Sequence, residues 1–260
     1  MIRVGIGGWT YEPWRGLFYP KGLAQTRELE HASRAVTSIE INGTYYSTQK
    51  AESFRKWAKE TPDGFVFSVK AIRFATNRRV LAEAGPSIEK FITSGITGLG
   101  KKLGPILWQF MPAKKFDAGD FDAFLQQLPK TADGLKLRHA VEVRHESFAT
   151  KEFVALARKY GVAIVLADSA KYPTIADVTA DFIYARLQQA DAKVANGYAP
   201  AAIAKWAKRA MTWESGGVPK DIPLLSIAPK PEKRDVFIYM INGAKERAPA
   251  AAMALLKELK

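Results

Sequence analysis

The chain reads as one α/β domain of the (β/α)8 TIM-barrel class, a single domain over residues 1–260. Three observations predict this: eight short β-rich runs, helical patterns between most of them, and a length that suits one large core at least as well as two small ones. An open, doubly wound sheet is the rival arrangement of the same alternation.

The β-rich runs are Arg3–Gly7, Val36–Ile41, Phe65–Lys70, Pro105–Phe110, Arg138–Val143, Val162–Asp168, Phe182–Leu187 and Asp235–Ile241. Segments with apolar residues three or four apart lie between them, as in "DAGDFDAFLQQL", "KEFVALARKYG" and "AAIAKWAKRAMTW". Asp117 or Asp120 is placed to cap the first of these, since a short acidic side chain accepts from the free N–H groups of a helix start; Gly161 is placed to end the second. A last helix is expected near Pro249 to Leu259. One connection breaks the rhythm: "SAKYPTIADVTA", after the sixth run, is short and contains proline, so an irregular loop is expected there. No internal repeat or linker divides the chain.

Composition bounds the function. The chain is 47% hydrophobic and 25% charged, which is ordinary for a globular protein and excludes a disordered one. No run of apolar residues is long enough to span a membrane. The start, "MIRVGIGGWT", reads as a strand and not as a signal peptide. With no cysteine, disulfides and thiolate metal sites are excluded, and a cytoplasmic location is expected. The net charge of +13 favours anionic partners, but the basic excess is spread along the chain: 19 basic and 12 acidic side chains in residues 1–130, 20 and 14 in residues 131–260.

In a β/α barrel the reactive groups sit where strands end and βα-loops begin. "SIEIN" places Ser38, Glu40 and Asn42 on one face and Ile39 and Ile41 on the other, because strand side chains alternate. "AVEVR" repeats the design with Glu142 and Arg144 inward. The remaining strand ends supply Lys70, Gln109, Asp168, Arg186 and Asn242. Together they predict a mouth with three carboxylates, three cations and several amides, a set too costly to gather at one rim without a purpose. The opening stretch "GIGGWTYEPWRGLFYP" lacks the last glycine of a dinucleotide fingerprint, since Thr10 stands there, and no clear helix follows. Its glycines are expected to turn the chain beneath the mouth, while Trp9, Tyr11, Trp14, Phe18 and Tyr19 wall a pocket or pack as a lid.

The ordered motifs "GGWTYEPWRGLFYP", "EINGTYYS", "FVFSVKA", "LGPILWQF", "AVEVRHESF" and "TADFIYARL" resemble the YecE-like family, also called domain of unknown function seventy-two, over nearly the full length. The resemblance implies a TIM-type barrel without an assigned reaction. That barrel looks like those of the endonuclease IV and xylose isomerase group, an analogy that has suggested nucleic-acid or sugar ligands. Glu40, Asn42, Lys70, Gln109, Glu142, Arg144, His145, Asp168, Tyr184 and Arg186 match the family pattern and carry over as site candidates. The chain departs from the pattern at Asn77 and Gln188, where family members usually have histidine, and at Asn242-Gly243, where an Asn-Asn pair is usual.

These groups admit several chemistries. A multi-zinc site is disfavoured, because His31 lies on the first helix and His139 begins the fifth strand, leaving His145 alone near the rim. No cofactor is expected; a Mg²⁺ held by Glu40, Glu142 and Asp168 is the one metal reading. Glu40 and Glu142 also suggest the paired carboxylates of glycoside hydrolysis, although the adjacent cations oppose keeping one of them protonated. Lys70 would form a Schiff base if desolvated beside other cations, but with Glu40 and Glu142 close by it is expected to stay an ion-pair partner. The preferred reading is an anionic, phosphate-bearing small molecule clamped by Arg144 and Arg186, its neutral part oriented by Asn242, Gln109 and Tyr184, with Glu40 or Asp168 as general base. A non-catalytic nucleic-acid binder, using Arg73–Arg79, Lys101-Lys102 and the platforms Trp9 and Trp14, is the alternative from another class. Lys245 and Arg247, after the eighth strand, are read as solvated loop charges outside the site.

Overall fold

The computed structural model describes residues 1–260. Its barrel strands are β1 (Ile2–Gly7), β2 (Ser38–Ile41), β3 (Val66–Lys70), β4 (Leu103–Gln109), β5 (His139–Glu142), β6 in two pieces (Ala163–Ile164 and Leu166–Asp168), β7 (Phe182–Leu187) and β8 (Asp235–Met240). All pair in parallel, and the first piece of β6 adds to β5 while the second adds to β7. The two ends of the sheet are therefore separated in sequence by Val165 alone, whose N–H still donates to the Val141 carbonyl at 2.9 Å. This near-closed ring is the TIM-type arrangement and excludes an open doubly wound sheet.

The helices are α1 (Glu28–Ala35), α2 (Ala51–Glu60), the one-turn α3 (Arg73–Thr76), α4 (Gly85–Ile92), α5 (Ala118–Gln126), α6 (Lys151–Tyr160), α7 (Pro200–Glu214) and α8 (Ala248–Glu258). The expected caps are present: Asp117 accepts from the Asp120 N–H at 2.8 Å, and Gly161 ends α6 at φ 64°. No helix follows β6; the segment to β7 is irregular, as its proline and shortness predict. A small antiparallel hairpin, Thr131–Ala132 with Leu135–Lys136, is a pair of strands that the sequence pattern does not announce.

Alternation along the strands sorts the core into two layers. Outward residues such as Ile39, Ile41, Val69, Trp108 and Val141 join a cluster of 60 buried side chains under the helices, whereas only ten fill the barrel interior, so helix–sheet packing dominates the apolar burial. Inside, the hydroxyl of Ser38 lies 2.8 Å from that of Tyr239 and the hydroxyl of Ser68 lies 2.7 Å from that of Tyr184, giving the interior a polar seam beneath the mouth. Gly5 faces this interior because nothing larger fits: a Cβ there would lie 2.1 Å from the Ser38 carbonyl oxygen. Gly8 has the other use of glycine, turning out of β1 at φ 73°.

Gly5→Ala is expected to lower stability by about 2–3 kcal/mol, because a backbone atom of β2 must move. Urea unfolding followed by circular dichroism measures it; an unchanged midpoint would contradict the close approach of β1 to β2.

Candidate functional site

The polar strand ends do converge, and one residue organises them. Arg186, on β7, is 2% exposed and donates through Nε and Nη2 to the two oxygens of Glu40 on β2, at 3.1 and 2.8 Å. Its Nη1 pairs with Glu142 at the end of β5 and also donates to Gln109 Oε1, at the end of β4, at 3.2 Å. Arg144 completes the array, donating to Glu142 Oε1 at 3.0 Å and Gln109 Oε1 at 2.8 Å. The Tyr172 ring, from the irregular loop after β6, covers the Arg144 guanidinium at 4.5 Å. From below, the Tyr184 hydroxyl donates to Glu40 Oε2 at 2.6 Å.

This network sets the local charge states. Burial alone would raise the Glu142 pKa, but Arg186, Arg144 and Lys70 outweigh it and hold the carboxyl below its usual range. Burial, reinforced by Glu40, pushes the Tyr184 phenol well above its ordinary value, so it remains a donor. Burial opposes the Arg186 charge, yet Glu142 and Glu40 raise its pKa beyond that of free arginine.

Above this floor opens a cavity of about 650 Å³. Of the sequence-predicted residues, Trp9, Asn42, Lys70, Gln109, Arg144, Arg186 and Asn242 line it. Glu40, Glu142 and Tyr184 are completely buried and lie outside the lining. The arrangement of Glu40 and Glu142 as an acid and nucleophile exposed to a sugar therefore does not form, because one guanidinium bridges both. Asp168 also lies outside the lining; its carboxylate accepts from Gln189 Nε2 at 2.6 Å, and burial raises its pKa. No group of three or more His, Asp or Glu side chains is arranged to hold a metal, so the Mg²⁺ set of Glu40, Glu142 and Asp168 is not assembled. His145 accepts from the Ser147 N–H at 3.1 Å as a local cap. His139, at the opposite end of β5, is packed against Trp108, and burial lowers its pKa to about 4.

Two lysines change the picture that the arginines dominate in the sequence. Lys70 lines the cavity, is 8% exposed, and has its Nζ 4.2 Å from the centroid of the Tyr45 ring. The expected ion pair with Glu40 or Glu142 is absent, since Arg186 and Arg144 occupy both carboxylates. Burial and then Arg186 lower the Lys70 pKa to about 8, against the raising influence of the two glutamates. Lys245, which sequence reasoning leaves outside the site, also lines the cavity, with its Nζ 4.4 Å from the centroid of the Tyr11 ring. Burial lowers its pKa as well.

The opening aromatic loop explains that placement. Trp14 is fully buried, and its indole N–H donates to the Lys245 carbonyl at 2.9 Å, tying the loop after β1 to the loop after β8. Tyr19 donates to the Trp9 carbonyl, fixing the backbone from which the Trp9 ring meets Trp57 edge-on at 5.0 Å. Trp14 is thus a core residue and no stacking platform; Tyr11 supports Lys245 outside the lining. Tyr46, Gln49 and Trp57 line the cavity and escape sequence reasoning, because they sit in the loop and helix after β2, where aromatic and amide side chains resemble ordinary helix packing. Arg247 donates to the Ala192 carbonyl at 3.1 Å and stays outside. At the two positions that depart from the family histidines, Asn77 Oδ1 and Gln188 Nε2 are buried without a partner.

A family model described as "Protein of unknown function DUF72" matches residues 3–260. The chain belongs to the DUF72 family. The DUF72 chain is 28% identical to the UPF0759 protein YecE of Escherichia coli K12 over 154 residues, 58% of this chain and 51% of that protein. It is 30% identical to the UPF0759 protein YunF of Bacillus subtilis 168 over 117 residues, 43% of this chain and 40% of YunF. The matched region thus spans about half the length, or less, of these relatives. Among solved structures, a DUF72 family protein from Thermotoga maritima MSB8 superposes with a TM-score of 0.77 at 22% identity, covering 100% of this chain and 99% of the other. One from Enterococcus faecalis V583 does so at 0.71 and 18% identity, covering 100% and 95%. At those identities the likeness establishes the barrel fold. No helix of the DUF72 chain is long and apolar enough to cross a membrane.

The network predicts two opposite stability effects. Glu142→Gln should destabilise by about 3–5 kcal/mol at pH 7, because it takes away the one carboxylate paired with Arg144 and leaves the buried Arg186 with Glu40 alone. The Glu142 pKa lies below 4.5 in the folded state, so its contribution is present above pH 4.5 and lost as the pH falls through the lower folded value. The wild type should therefore lose its advantage over the variant in acid, which unfolding midpoints across pH report. Lys70→Met removes an unpaired buried charge and should stabilise by about 1–3 kcal/mol at pH 7. With a folded pKa of about 8 against 10.5 unfolded, that gain should shrink between those values and vanish above pH 10.5.

Proposed function

We propose that this DUF72 protein binds an anionic, phosphate-bearing small molecule in the cavity at the C-terminal mouth of its barrel. One observation carries the reading: Lys70, Arg144, Arg186 and Lys245 line the cavity and no carboxylate does. Glu40 and Glu142 offset the two guanidiniums from below, so the uncompensated charge facing the cavity belongs to the two lysines. Low-dielectric walls focus such a field on a bound anion.

The ammonium groups of Lys70 and Lys245 take the contact role that the sequence suggests for Arg144 and Arg186, because Glu40, Glu142 and Gln109 engage all three nitrogens of Arg186 and two of Arg144, whose Nη1 faces the Tyr172 hydroxyl at 3.4 Å. Gln109 gives its carbonyl oxygen to both arginines, which leaves its amide hydrogens for the ligand. Asn42, Gln49 and Asn242 supply further partners for hydroxyl groups, and the rings of Trp9, Tyr46 and Trp57 supply flat apolar surface. A volume of about 650 Å³ suits a phosphosugar or a nucleotide.

Nucleic acid is the weaker candidate. Trp14 is buried, and the Lys102 ammonium is occupied by the carbonyls of Ala58 and Thr61, both at 2.6 Å. The Arg78 guanidinium is engaged by Ser87 and the Phe74 carbonyl. A cysteine-free composition supports a cytoplasmic setting for the ligand.

Thermal unfolding with inorganic phosphate, phosphosugars, nucleotides and short oligonucleotides tests the proposal. A ligand at a hundred times its Kd should add about 2.7 kcal/mol of stability, and Lys245→Gln should weaken binding by on the order of tenfold. No stabilisation by any of these, or an unchanged response of the variant, overturns it.

A further inference from the structure

Lys70 is placed for more than charge. It ends β3 with its side chain in the cavity lining, yet it is only 8% exposed, and its amine makes neither a hydrogen bond nor an ion pair. The partners that would ordinarily fix an ammonium are taken: Glu40 by Arg186 and Tyr184, Glu142 by Arg186 and Arg144. The flat face of Tyr45, 4.2 Å from Nζ, shields one side of the amine and leaves the other toward the cavity. A lysine desolvated beside other cations is the arrangement that activates an amine as a nucleophile.

We propose that Lys70 forms a Schiff base with a carbonyl-bearing ligand of this cavity, the open-chain form of a phosphorylated aldose or ketose. The phosphate half of the inference rests on the anion-binding reading above; the carbonyl half rests on the amine alone. The nitrogen lone pair bonds to the carbonyl carbon, the carbonyl π pair moves to oxygen, and one amine proton follows it to give a carbinolamine. Protonation of that hydroxyl by solvent and departure of water leave the C=N⁺ bond of a protonated imine. No oxidant or reductant is consumed. The new cation occupies the place of the former ammonium, so the hydrogen bonds that Arg186, Arg144 and Tyr184 make to Glu40 and Glu142 need no rearrangement.

The charged groups facing Lys70 act in opposite senses. Burial lowers its pKa most, Arg186 from β7 lowers it further, Glu40 from β2 and Glu142 from β5 raise it, and Arg144 lowers it, the balance lying at about 8. At pH 7.5 such a lysine carries on the order of a hundredfold more neutral amine than one of ordinary pKa. Lys245, the other unpaired lysine of the cavity, has no such guanidinium pair beside it in the same network and sits on Tyr11.

The test is reductive trapping on the full chain. The protein is incubated with dihydroxyacetone phosphate and sodium borohydride at pH 7.5, then analysed by intact mass and peptide mapping. The expected product is a secondary amine at Lys70, heavier by the mass of the probe less one oxygen atom, with every other lysine labelled on the order of tenfold less. Its yield should rise with pH through about 8. Lys70→Arg and Lys70→Gln, both checked for folding by circular dichroism, should lose this adduct. Labelling spread over surface lysines, or confined to Lys245, overturns the proposal; because it is read on the wild-type chain, it does not depend on the variants folding. Dihydroxyacetone without phosphate separates the two readings. If it labels Lys70 equally well, the imine stands and the phosphate contact falls. If inorganic phosphate and glycerol 3-phosphate stabilise the protein while Lys70 is never trapped, the anion site stands and the imine falls.

Discussion

The guanidinium of Arg186 is the interaction on which the mouth of this barrel depends. From β7 it reaches Glu40 on β2, Glu142 on β5 and Gln109 on β4, so one side chain ties together four strands around the ring. Burying an arginine and two glutamates is expensive, and it is tolerated because the guanidinium and both carboxylates have partners. Tyr184 and Arg144 supply the contacts that Arg186 leaves open. The array is therefore a rigid floor; its stiffness comes from saturation, since any movement of one member strands another.

Saturation has a consequence for chemistry. Two carboxylates serve three cations, so one cation is left over, and geometry assigns the deficit to Lys70. Proteins seldom leave a buried ammonium unpaired, because the arrangement lowers stability without helping to hold the fold. Where it occurs in a cavity, it trades stability for reactivity or for affinity toward an anion. Lys245 adds a second unpaired ammonium, held in place by the aromatic loop after β1, so the aromatic wall and the positive charge of the cavity are parts of one construction. The orphaned amide atoms of Asn77 and Gln188, with the Thr76 hydroxyl beside the first, mark places where this chain's buried hydrogen bonding is incomplete.

Much of this is legible in the sequence. Period-two alternation in "SIEIN" and "AVEVR" correctly turns Glu40, Glu142 and Arg144 inward and the isoleucines and valines outward, and the same alternation with helical spacing between strands carries the barrel. The short irregular link after β6 is legible from its proline. Trp14 reads as a pocket wall and proves to be core, because an aromatic residue in a loop has no periodicity to show which way it faces. Lys245 reads as a solvated charge for the same reason, although its nearness to the end of β8 is a usable signal. The discontinuity of β6 at Val165 leaves no trace in a run that is apolar from Val162 to Ala167.

By itself the sequence determined which residues share a face of each strand, because side-chain alternation is a property of a few neighbouring residues and needs no partner. Only the tertiary structure decided which cation meets which carboxylate. Arg186 and Glu40 are 146 positions apart and come into contact because the barrel closes. That closure gives both glutamates to arginine and none to Lys70, an allocation set by competition in space among groups whose order along the chain says nothing of the outcome.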